Sequence, residues 1–397
     1  MHPADEIRGI KSKKLSKKKI VLGVTGSIAA IESIKLSREL IRHGADVYPV
    51  MTKAATRIIH PDSLEFATSH KPIIELTGKT EHVSFCGLTK DRIDLLLISP
   101  CTANTISKIA LGIDDTPVTT FATTAIGSGV TIAIVPAMHL SMYNHKIIQE
   151  NIDKCKRMGI SFIDPVIQAN KAKMLSVDKI VEHAIRMIGK QDLGKKNILI
   201  IGGATAEAID DIRILTNRSS GKTAVALANS AFERGANVEL WYGYAKEVVP
   251  SYIPVKNFET IEDLLNLLKN NDMKFDTIVV CAAIANYLPK KQKGKIPSGK
   301  NKLDLELSPA PKIIQKIRLI ASKSKIIAFK VEENKKSLKE KSYQLLKKNQ
   351  LDFVIANTVS AFGKDENEIL IINKKGESVL RKGKKEELAD YILDIIR

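Results

Sequence analysis

The sequence predicts an α/β protein with two doubly wound domains, each a mostly parallel sheet covered by helices. At roughly 150 residues per domain, 397 residues allow two or three domains, and an apolar content of 44% is sufficient for ordinary buried cores. Short runs rich in isoleucine and valine alternate with longer segments of helical period, which is typical of parallel strands connected by helices. This alternation begins twice along the chain, so we expect two domains of similar design.

The two starting points have the same order of elements. Residues 19–27 (KIVLGVTGS) are predicted to form a strand that enters a glycine turn, followed by a helix ending near Gly44 and a second strand over 46–50. Residues 197–205 (NILIIGGAT) repeat this pattern, but the second copy carries an insertion after its first strand. The insertion predicts a loop over 206–217 at the carboxyl end of the sheet, the edge where such folds bind ligands.

A polar stretch at 189–196 (GKQDLGKK) separates the two copies and is typical of a linker. We therefore predict a basic tail over 1–18, a first domain over 19–190 and a second domain over 191–397. The net charge of +18 is concentrated in 1–20 and in 290–348. No aromatic residue is interleaved with the lysines of 11–19, so we expect a solvated tail rather than a nucleic-acid-binding arm.

The cysteine content and hydropathy indicate the compartment. Four cysteines without a CxxC pair argue against a disulfide framework and against structural zinc, which favours a reducing, cytoplasmic location. No segment approaches the ~20 apolar residues needed to cross a bilayer. We expect neither a membrane nor a nucleic-acid partner.

The first glycine turn, GVTGSI at 23–28, places backbone N–H groups at a helix N-terminus. This arrangement suits a phosphate, although a tight turn that needs glycine explains it equally well. A dinucleotide site would normally have an acidic residue after the second strand, but Met51, Thr52 and Lys53 stand there, which favours a mononucleotide such as FMN over NAD. Two further polar strand ends, at 99–105 and 135–139, are expected to converge on the same crevice.

The segments GVTGSIA, EHVSF, SPCTANTISKIALGIDD and PAMHLSMY together resemble the flavin-dependent cysteine decarboxylases. The resemblance is to the phosphopantothenoylcysteine decarboxylase half of bifunctional coenzyme A biosynthesis proteins, and it covers about 19–185. It implies a Rossmann-like flavoprotein fold in which FMN oxidises the thiol-bearing carbon of the substrate to a thioaldehyde, so that carbon dioxide can leave. His82 matches the family's active-site histidine, suited to proton transfer, and Asn104 matches the asparagine that positions substrate and flavin. The flavin contacts that the resemblance implies are Gly23, Thr25, Gly26, Ser27, Thr52, Ser99, Thr102 and Ala103.

Two departures from the bacterial pattern affect this half. His139 stands where the PAMN motif has the asparagine that binds the substrate carboxylate, and an imidazole can still donate one hydrogen bond. The flap segment 164–174 lacks the cysteine that protonates the enethiol. We expect Lys171, Lys173 or a different residue to supply that proton.

The inserted loop and helix start, GATAEAIDDIRILTNRSSGK at 203–222, offer hydroxyls, backbone donors and positive charge suited to phosphate oxygens. The segment resembles the phosphopantothenate-cysteine ligase half of the same bifunctional proteins, and so do 281–287, 295–299, 329–334 and 351–360. This resemblance spans about 195–395 and implies a second Rossmann-like domain. It implies ligation of 4'-phosphopantothenate with L-cysteine through an acyl-cytidylate made from CTP, with Mg²⁺ accompanying the triphosphate.

Residue roles in the second domain follow from the resemblance. Arg213 and Asn217 would handle the activated acyl intermediate, and Lys295 would contact the nucleotide phosphates. Asn286 replaces an aspartate of the bacterial relatives, and Asp210 and Asp211 are alternative metal ligands. The choice of CTP over ATP rests on the resemblance alone. The implied nucleotide-binding residues are Gly203, Ser219, Ser220, Gly221, Ala283, Asn286, Lys295 and Phe329.

Two functions are compatible with these patterns. The first is a two-step enzyme in which the second domain makes 4'-phosphopantothenoylcysteine and the first decarboxylates it to 4'-phosphopantetheine. The second is a flavin-binding regulatory subunit without turnover, which the presence of His82, Asn104 and a complete ligase loop disfavours. By analogy with the related domains we expect a homo-oligomer built from trimers, such as a dodecamer.

Overall fold

A computed structural model describes residues 2–168, 171–298, 302–333, 335–358 and 366–397. The chain forms two compact units, Met1–Gln191 and Asp192–Arg397. Asn170 of the flap segment lies outside the described residues. So do Gly299, Asn334 and Ser360, which end three of the segments that resemble the ligase family.

The first unit is built around a five-stranded parallel sheet. Its helices and strands are α1 (Pro3–Glu6), β1 (Lys19–Val24), α2 (Ser33–Arg42), β2 (Asp46–Met51), α3 (Pro61–Thr68), α4 (Glu81–Cys86), β3 (Leu95–Cys101), α5 (Ala103–Leu111), α6 (Pro117–Ser128), β4 (Thr131–Pro136), β5 (Met138–His139), α7 (Leu140–Tyr143), α8 (Lys146–Arg157), β6 (Ser161–Phe162), β7 (Val166–Gln168), β8 (Lys171–Lys173) and α9 (Val177–Ile188). The strand order is β2-β1-β3-β4-β6, and β5, β8 and β7 form a separate antiparallel sheet.

The apolar strand runs explain this sheet, because helices cover both of its faces. Along β3, Leu95 and Leu97 pack into one hydrophobic cluster, whereas Leu96 and Ile98 pack into another on the opposite face. A strand with apolar side chains on both faces reads as a continuous hydrophobic run, which is the pattern expected of parallel sheets. The predicted doubly wound fold of this half is confirmed.

The segment before β1 is part of the first unit rather than the predicted solvated tail. Leu15 and Ala4 are fully buried in the same cluster as the sheet, and the Leu15 N–H donates to the His43 carbonyl (2.9 Å). Lys11 forms ion pairs with Glu39 and Asp178. The lysine-rich composition predicted a solvated segment, but Ala4 and Leu15 pack against residues from distant parts of the chain.

The second unit contains an eight-stranded mixed sheet. Its elements are β9 (Asn197–Gly202), β10 (Ala206–Ala208), β11 (Ile214–Thr216), α10 (Lys222–Glu233), β12 (Asn237–Tyr242), β13 (Val255–Asn257), α11 (Ile261–Lys269), β14 (Thr277–Val280), β15 (Tyr287–Pro289), β16 (Leu307–Pro309), α12 (Ile313–Ile320), β17 (Lys325–Glu332), α13 (Lys335–Lys348), β18 (Phe353–Thr358), β19 (Glu366–Asn373), β20 (Ser378–Lys384) and α14 (Lys385–Asp394). The order is β13-β12-β9-β14-β17-β18-β19-β20, parallel as far as β18.

Two features of this unit differ from a simple repeat of the first. The inserted segment, expected to be a loop, folds back as a short antiparallel pair in which Ala206 lies opposite Thr216. The sheet also ends in an antiparallel hairpin of β19 and β20, whose turn contains Gly376 at φ +80°. The parallel core of the sheet follows the prediction. In the ranges that the structure describes, no helix combines the length and apolar character required to span a membrane.

Candidate active sites in the two units

In the first unit, Thr25 joins the carboxyl ends of β1 and β3. Its side chain is fully buried, and its Oγ1 donates to the Pro100 carbonyl at 2.8 Å. The same oxygen accepts a hydrogen bond from the Thr102 N–H at 3.0 Å. Because Thr102 caps α5, this pair of bonds fixes the glycine turn against the start of that helix.

The end of β2 lies against the same turn. A Cβ on Gly26 would lie 2.5 Å from Ala54 Cβ, so only glycine allows this approach. Thr52 is buried, and its Oγ1 accepts from the Ala55 N–H at 3.2 Å. Ser27 caps the 3₁₀ helix Ile28–Glu32 through the Ala29 N–H. The ends of β1, β2 and β3 therefore meet here, whereas the sequence predicts a meeting of the ends of β1, β3 and β4.

The remaining predicted flavin contacts are mostly enclosed by protein. A Cβ on Gly23 would lie 3.2 Å from Val118 Cγ1, so this glycine serves close packing against α6. Ser99 is fully buried and donates to Sδ of Met174 at 3.3 Å. Ala103 is buried in the first turn of α5, whereas Asn104 is exposed there. Within 99–105, Asn104 is the residue that is exposed.

His82 lies on α4 and carries an unsatisfied polar atom. Its Nδ1 is buried, and no described residue forms a hydrogen bond with it. A buried ring nitrogen without a partner is unfavourable, which makes this site suited to a bound ligand that supplies one. This is the position at which the sequence predicts a proton-transferring histidine.

A cleft of about 480 Å³ lies between the glycine turn and the small antiparallel sheet. Ser27 and Ala137 line one part of it, and His139, Lys171 and Lys173 line another. His139 stands directly opposite Lys171 in the pairing of β5 with β8. The structure thus brings together the two places where this sequence departs from the bacterial pattern. The residues that line this cleft do not include His82 or Asn104.

In the second unit, the turn after β9 and the start of α10 enclose a smaller cavity of about 130 Å³. Gly203 has φ +80°, and a Cβ there would lie 2.7 Å from the Gly243 carbonyl oxygen. Gly221, at φ +81°, caps α10. Six of the predicted nucleotide-binding residues line the cavity: Gly203, Ser219, Ser220, Gly221, Ala283 and Phe329.

Five further polar residues that were not predicted as site residues line this cavity. They are Thr223, Cys281, Asn357, Asn367 and Lys385. Asn357 lies near the carboxyl end of β18, so the rule that ligands bind at strand ends provides a signal for it. Asn367 and Lys385 belong to the antiparallel hairpin and the helix that follows it, which have no counterpart in the predicted repeat.

Asp210 holds the inserted segment together instead of presenting free oxygens to a metal. It is buried, and it accepts from the backbone N–H groups of Ile212 (2.8 Å), Arg213 (2.6 Å) and Ile296 (3.0 Å). Burial opposes ionisation, but these hydrogen bonds together with the Arg213 guanidinium hold the pKa of this carboxyl well below its usual range. Asp211 accepts from the Gly294 N–H (3.0 Å) and pairs with Lys291 (3.1 Å).

The other predicted ligase residues occupy separate positions. The Asn217 side chain donates to the Ala283 carbonyl at 3.0 Å, which places it beside the cavity wall. Asn286 is exposed, and its Oδ1 accepts from Nζ of Lys312 at 3.0 Å. Lys295 is exposed next to Ile296, the residue that Asp210 binds. Neither Asn286 nor Lys295 lines the cavity.

Comparison with known families accounts for both units. Residues 8–189 match the Flavoprotein family, and residues 193–397 match the family described as DNA/pantothenate metabolism flavoprotein C-terminal domain. A coenzyme A biosynthesis bifunctional protein from Thermococcus kodakarensis is 44% identical over 402 residues, covering 100% of this chain and 99% of that protein. The chain belongs to the coenzyme A biosynthesis bifunctional protein family. A member from Methanocaldococcus jannaschii is 39% identical over 100% of this chain and 98% of its own length.

Solved structures of this family resemble one unit at a time. The C-terminal domain of a coenzyme A biosynthesis bifunctional protein is 27% identical, with a TM-score of 0.45, and covers 52% of this chain and 96% of that one. Membership of the family confirms a bifunctional enzyme of coenzyme A biosynthesis, with a flavoprotein decarboxylase domain followed by a ligase domain.

Proposed function

We propose that the second unit ligates 4'-phosphopantothenate with L-cysteine using CTP, and that the first unit, with FMN bound, decarboxylates the product to 4'-phosphopantetheine. The observation that supports this assignment best is the cavity of the second unit, which is lined by six residues predicted to bind a nucleotide. The order of the two steps follows from chemistry, because the ligation product is the substrate that the decarboxylase domain requires.

The first unit offers a fitting place for FMN. Gly26, Ser27, Thr52 and Thr102 would hold it at the three strand ends, and the N-terminus of α5 favours an anionic phosphate. When bound, the flavin supplies two-electron oxidation of the substrate's cysteine side chain. The unpartnered Nδ1 of His82 would accept the proton that leaves the substrate in this step.

The cleft between the glycine turn and the small sheet suits an anionic substrate. His139 can donate one hydrogen bond to the substrate carboxylate, and Lys171 and Lys173 add positive charge to the same cleft. The lysines are also the candidates for protonating the enethiol in place of the absent flap cysteine. Lys173 donates to Oε1 of Gln168 at 3.3 Å, which orients its ammonium along the sheet.

In the second unit, Ser219, Ser220 and the N-terminus of α10 would bind phosphate oxygens. Asn217, held at the Ala283 carbonyl, would donate a hydrogen bond to the acyl carbonyl, as an oxyanion donor does. Lys295 would approach the phosphates from the exposed segment next to Ile296. The Asp210 environment does not fit Mg²⁺, because backbone and guanidinium N–H groups already occupy its oxygens. The described residues contain no cluster of three or more metal-ligating side chains, so we assign no protein ligand to the ion.

The decisive experiment supplies the purified full chain with phosphopantothenate, cysteine, CTP, Mg²⁺ and FMN and weighs the products. We expect 4'-phosphopantetheine, with loss of carbon dioxide and no net oxidation. Accumulation of phosphopantothenoylcysteine would contradict the decarboxylase assignment, and release of the enethiol would show that the final reduction does not occur. No turnover of any substrate would support a regulatory subunit. A parallel reaction with ATP tests the proposed nucleotide.

The assembly and location are also part of this proposal. A homo-oligomer built from trimers is expected, and light scattering of the purified chain measures its mass. Cytoplasmic location remains a prediction from the cysteine content.

A further inference from the structure

Asn357 has a side-chain oxygen that none of the described residues satisfies. Its Oδ1 is buried without a hydrogen-bond partner, and the side chain lines the 130 Å³ cavity of the second unit. A buried amide oxygen in this state loses its hydrogen bond to water and gains nothing in return. A ligand in the cavity that donates an N–H group to Oδ1 would restore the bond.

The neighbours of Asn357 in the cavity are largely uncharged. In the pairing of β17 with β18, Val331 lies opposite Asn357 and Phe329 lies opposite Ile355, so the aromatic ring and the amide belong to adjacent strands. Burial raises the pKa of Cys281 to about 12, so this thiol is neutral at physiological pH. Its Sγ lies 3.4 Å from the Ile201 carbonyl, to which it donates. This part of the lining suits a flat, neutral group with an N–H donor.

Three ligand groups of the proposed ligation carry N–H donors. The cysteine ammonium is charged, and the lining contains no carboxylate to pair with it, whereas Lys385 lines the cavity and would repel it. The pantothenate amide lies on a flexible chain that cannot stack on Phe329. The nucleotide base is planar and neutral, and in cytosine and adenine it carries an exocyclic amine.

We propose that Asn357 accepts a hydrogen bond from the exocyclic amine of the nucleotide base and thereby selects amine-bearing bases over uracil. This inference rests on the proposed nucleotide-dependent ligation and names one of its specificity residues. Uracil has a carbonyl oxygen where cytosine has the amine, so it would place an acceptor against the Asn357 oxygen. The same contact leaves the choice between CTP and ATP to other residues.

The test measures binding of CTP, ATP and UTP to the full chain by calorimetry, for the wild type and for Asn357→Ala. We expect the substitution to lower the affinity for CTP and ATP about five- to tenfold, which is the effect of losing one hydrogen bond. The affinity for UTP should change less than about twofold. Asn349→Ala is the matched control. Asn349 is a buried asparagine of the same unit, but its Nδ2 donates to the Leu345 carbonyl (2.9 Å) and it does not line the cavity.

A second measurement uses only the wild-type chain, so it does not depend on whether a variant folds. A CTP analogue that lacks the 4-amino group should bind the wild type about five- to tenfold more weakly than CTP does. The inference is overturned if the analogue and CTP bind the wild type with equal affinity. It is also overturned if Asn357→Ala lowers the affinity for all three nucleotides by the same factor. A rise confined to the KM for cysteine would assign Asn357 to the amine of that substrate and also overturn it. If the wild type binds no nucleotide at all, the proposed ligation itself fails, which is a separate outcome.

Discussion

Replacing Thr25 with valine tests whether one buried hydroxyl holds the flavoprotein site together. Valine has nearly the same shape, but it lacks the oxygen that donates to the Pro100 carbonyl (2.8 Å) and accepts from the Thr102 N–H (3.0 Å). The Pro100 carbonyl keeps a second hydrogen bond from the Thr25 N–H (3.3 Å), whereas no other described residue accepts a hydrogen bond from the Thr102 N–H. The substitution therefore mainly destabilises the start of α5, where the Thr102 N–H loses its acceptor.

The magnitude follows from these bonds. A backbone N–H left without a partner costs about 1–3 kcal/mol, and the lost donated bond adds about 1 kcal/mol, so we expect a loss of about 2–4 kcal/mol in the free energy of unfolding. For a unit of this size, that loss lowers the midpoint of thermal unfolding by about 4–16 °C. Because Thr102 caps the helix that carries Asn104, the variant should also retain less flavin.

Calorimetry of the full chain and the visible absorbance of bound flavin measure these two effects. Thr25→Ser is the matched control, since it keeps both hydrogen bonds and removes one methyl group, at a cost of about 1 kcal/mol. If the valine variant unfolds at the wild-type temperature and retains flavin while the serine variant does not, the hydroxyl is not what organises this site.

Three further changes test other parts of the molecule. His82→Ala should lower carbon dioxide release from phosphopantothenoylcysteine at least about 100-fold with ligation unchanged, because a positioned base contributes about that much or more; undiminished release removes His82 from the mechanism. Asp210→Asn should slow ligation about tenfold while decarboxylation stays at the wild-type rate, since the amide cannot accept the same bonds from Arg213 and Ile296; an unchanged ligation rate contradicts that role. Burial, with the charge of Lys11, lowers the pKa of His43 to about 4. Between about pH 6.5 and pH 4, His43 is therefore protonated in the unfolded chain but remains neutral in the native chain. Stability should therefore fall by about 1–2 kcal/mol from pH 7 to pH 5 in urea titrations, and the fall should be smaller in His43→Gln.

Local patterns predicted the parallel strands well. The runs that became β1, β3, β9 and β14 are continuously apolar because helices cover both faces of each sheet, and that environment leaves a clear signature in the sequence. The hairpin of β19 and β20 was not predicted, because the elements predicted for the second domain were those repeated from the first, and the hairpin has no counterpart there.

The candidate sites were predicted to different degrees. Glycine, serine and threonine at strand ends were found because turns and phosphate sites require those residue types. Asp210 illustrates the limit, because a carboxylate that binds a metal and one that binds backbone N–H groups look the same in a sequence. The donors from Ile296 come from a segment 86 residues away.

Hydrophobic periodicity and motifs in continuous stretches of chain were sufficient to predict the family, the two parallel sheets and the edge of each sheet where polar residues collect. Which of those polar residues share an enclosed space, and which are already bonded to the protein, became visible in the folded structure. Ser220 and Asn357 line one cavity although they are far apart in the chain, while Asp210 is already bonded to its own loop and to Ile296. Burial and hydrogen-bond partners depend on such distant neighbours, and these exist only after the strands have assembled.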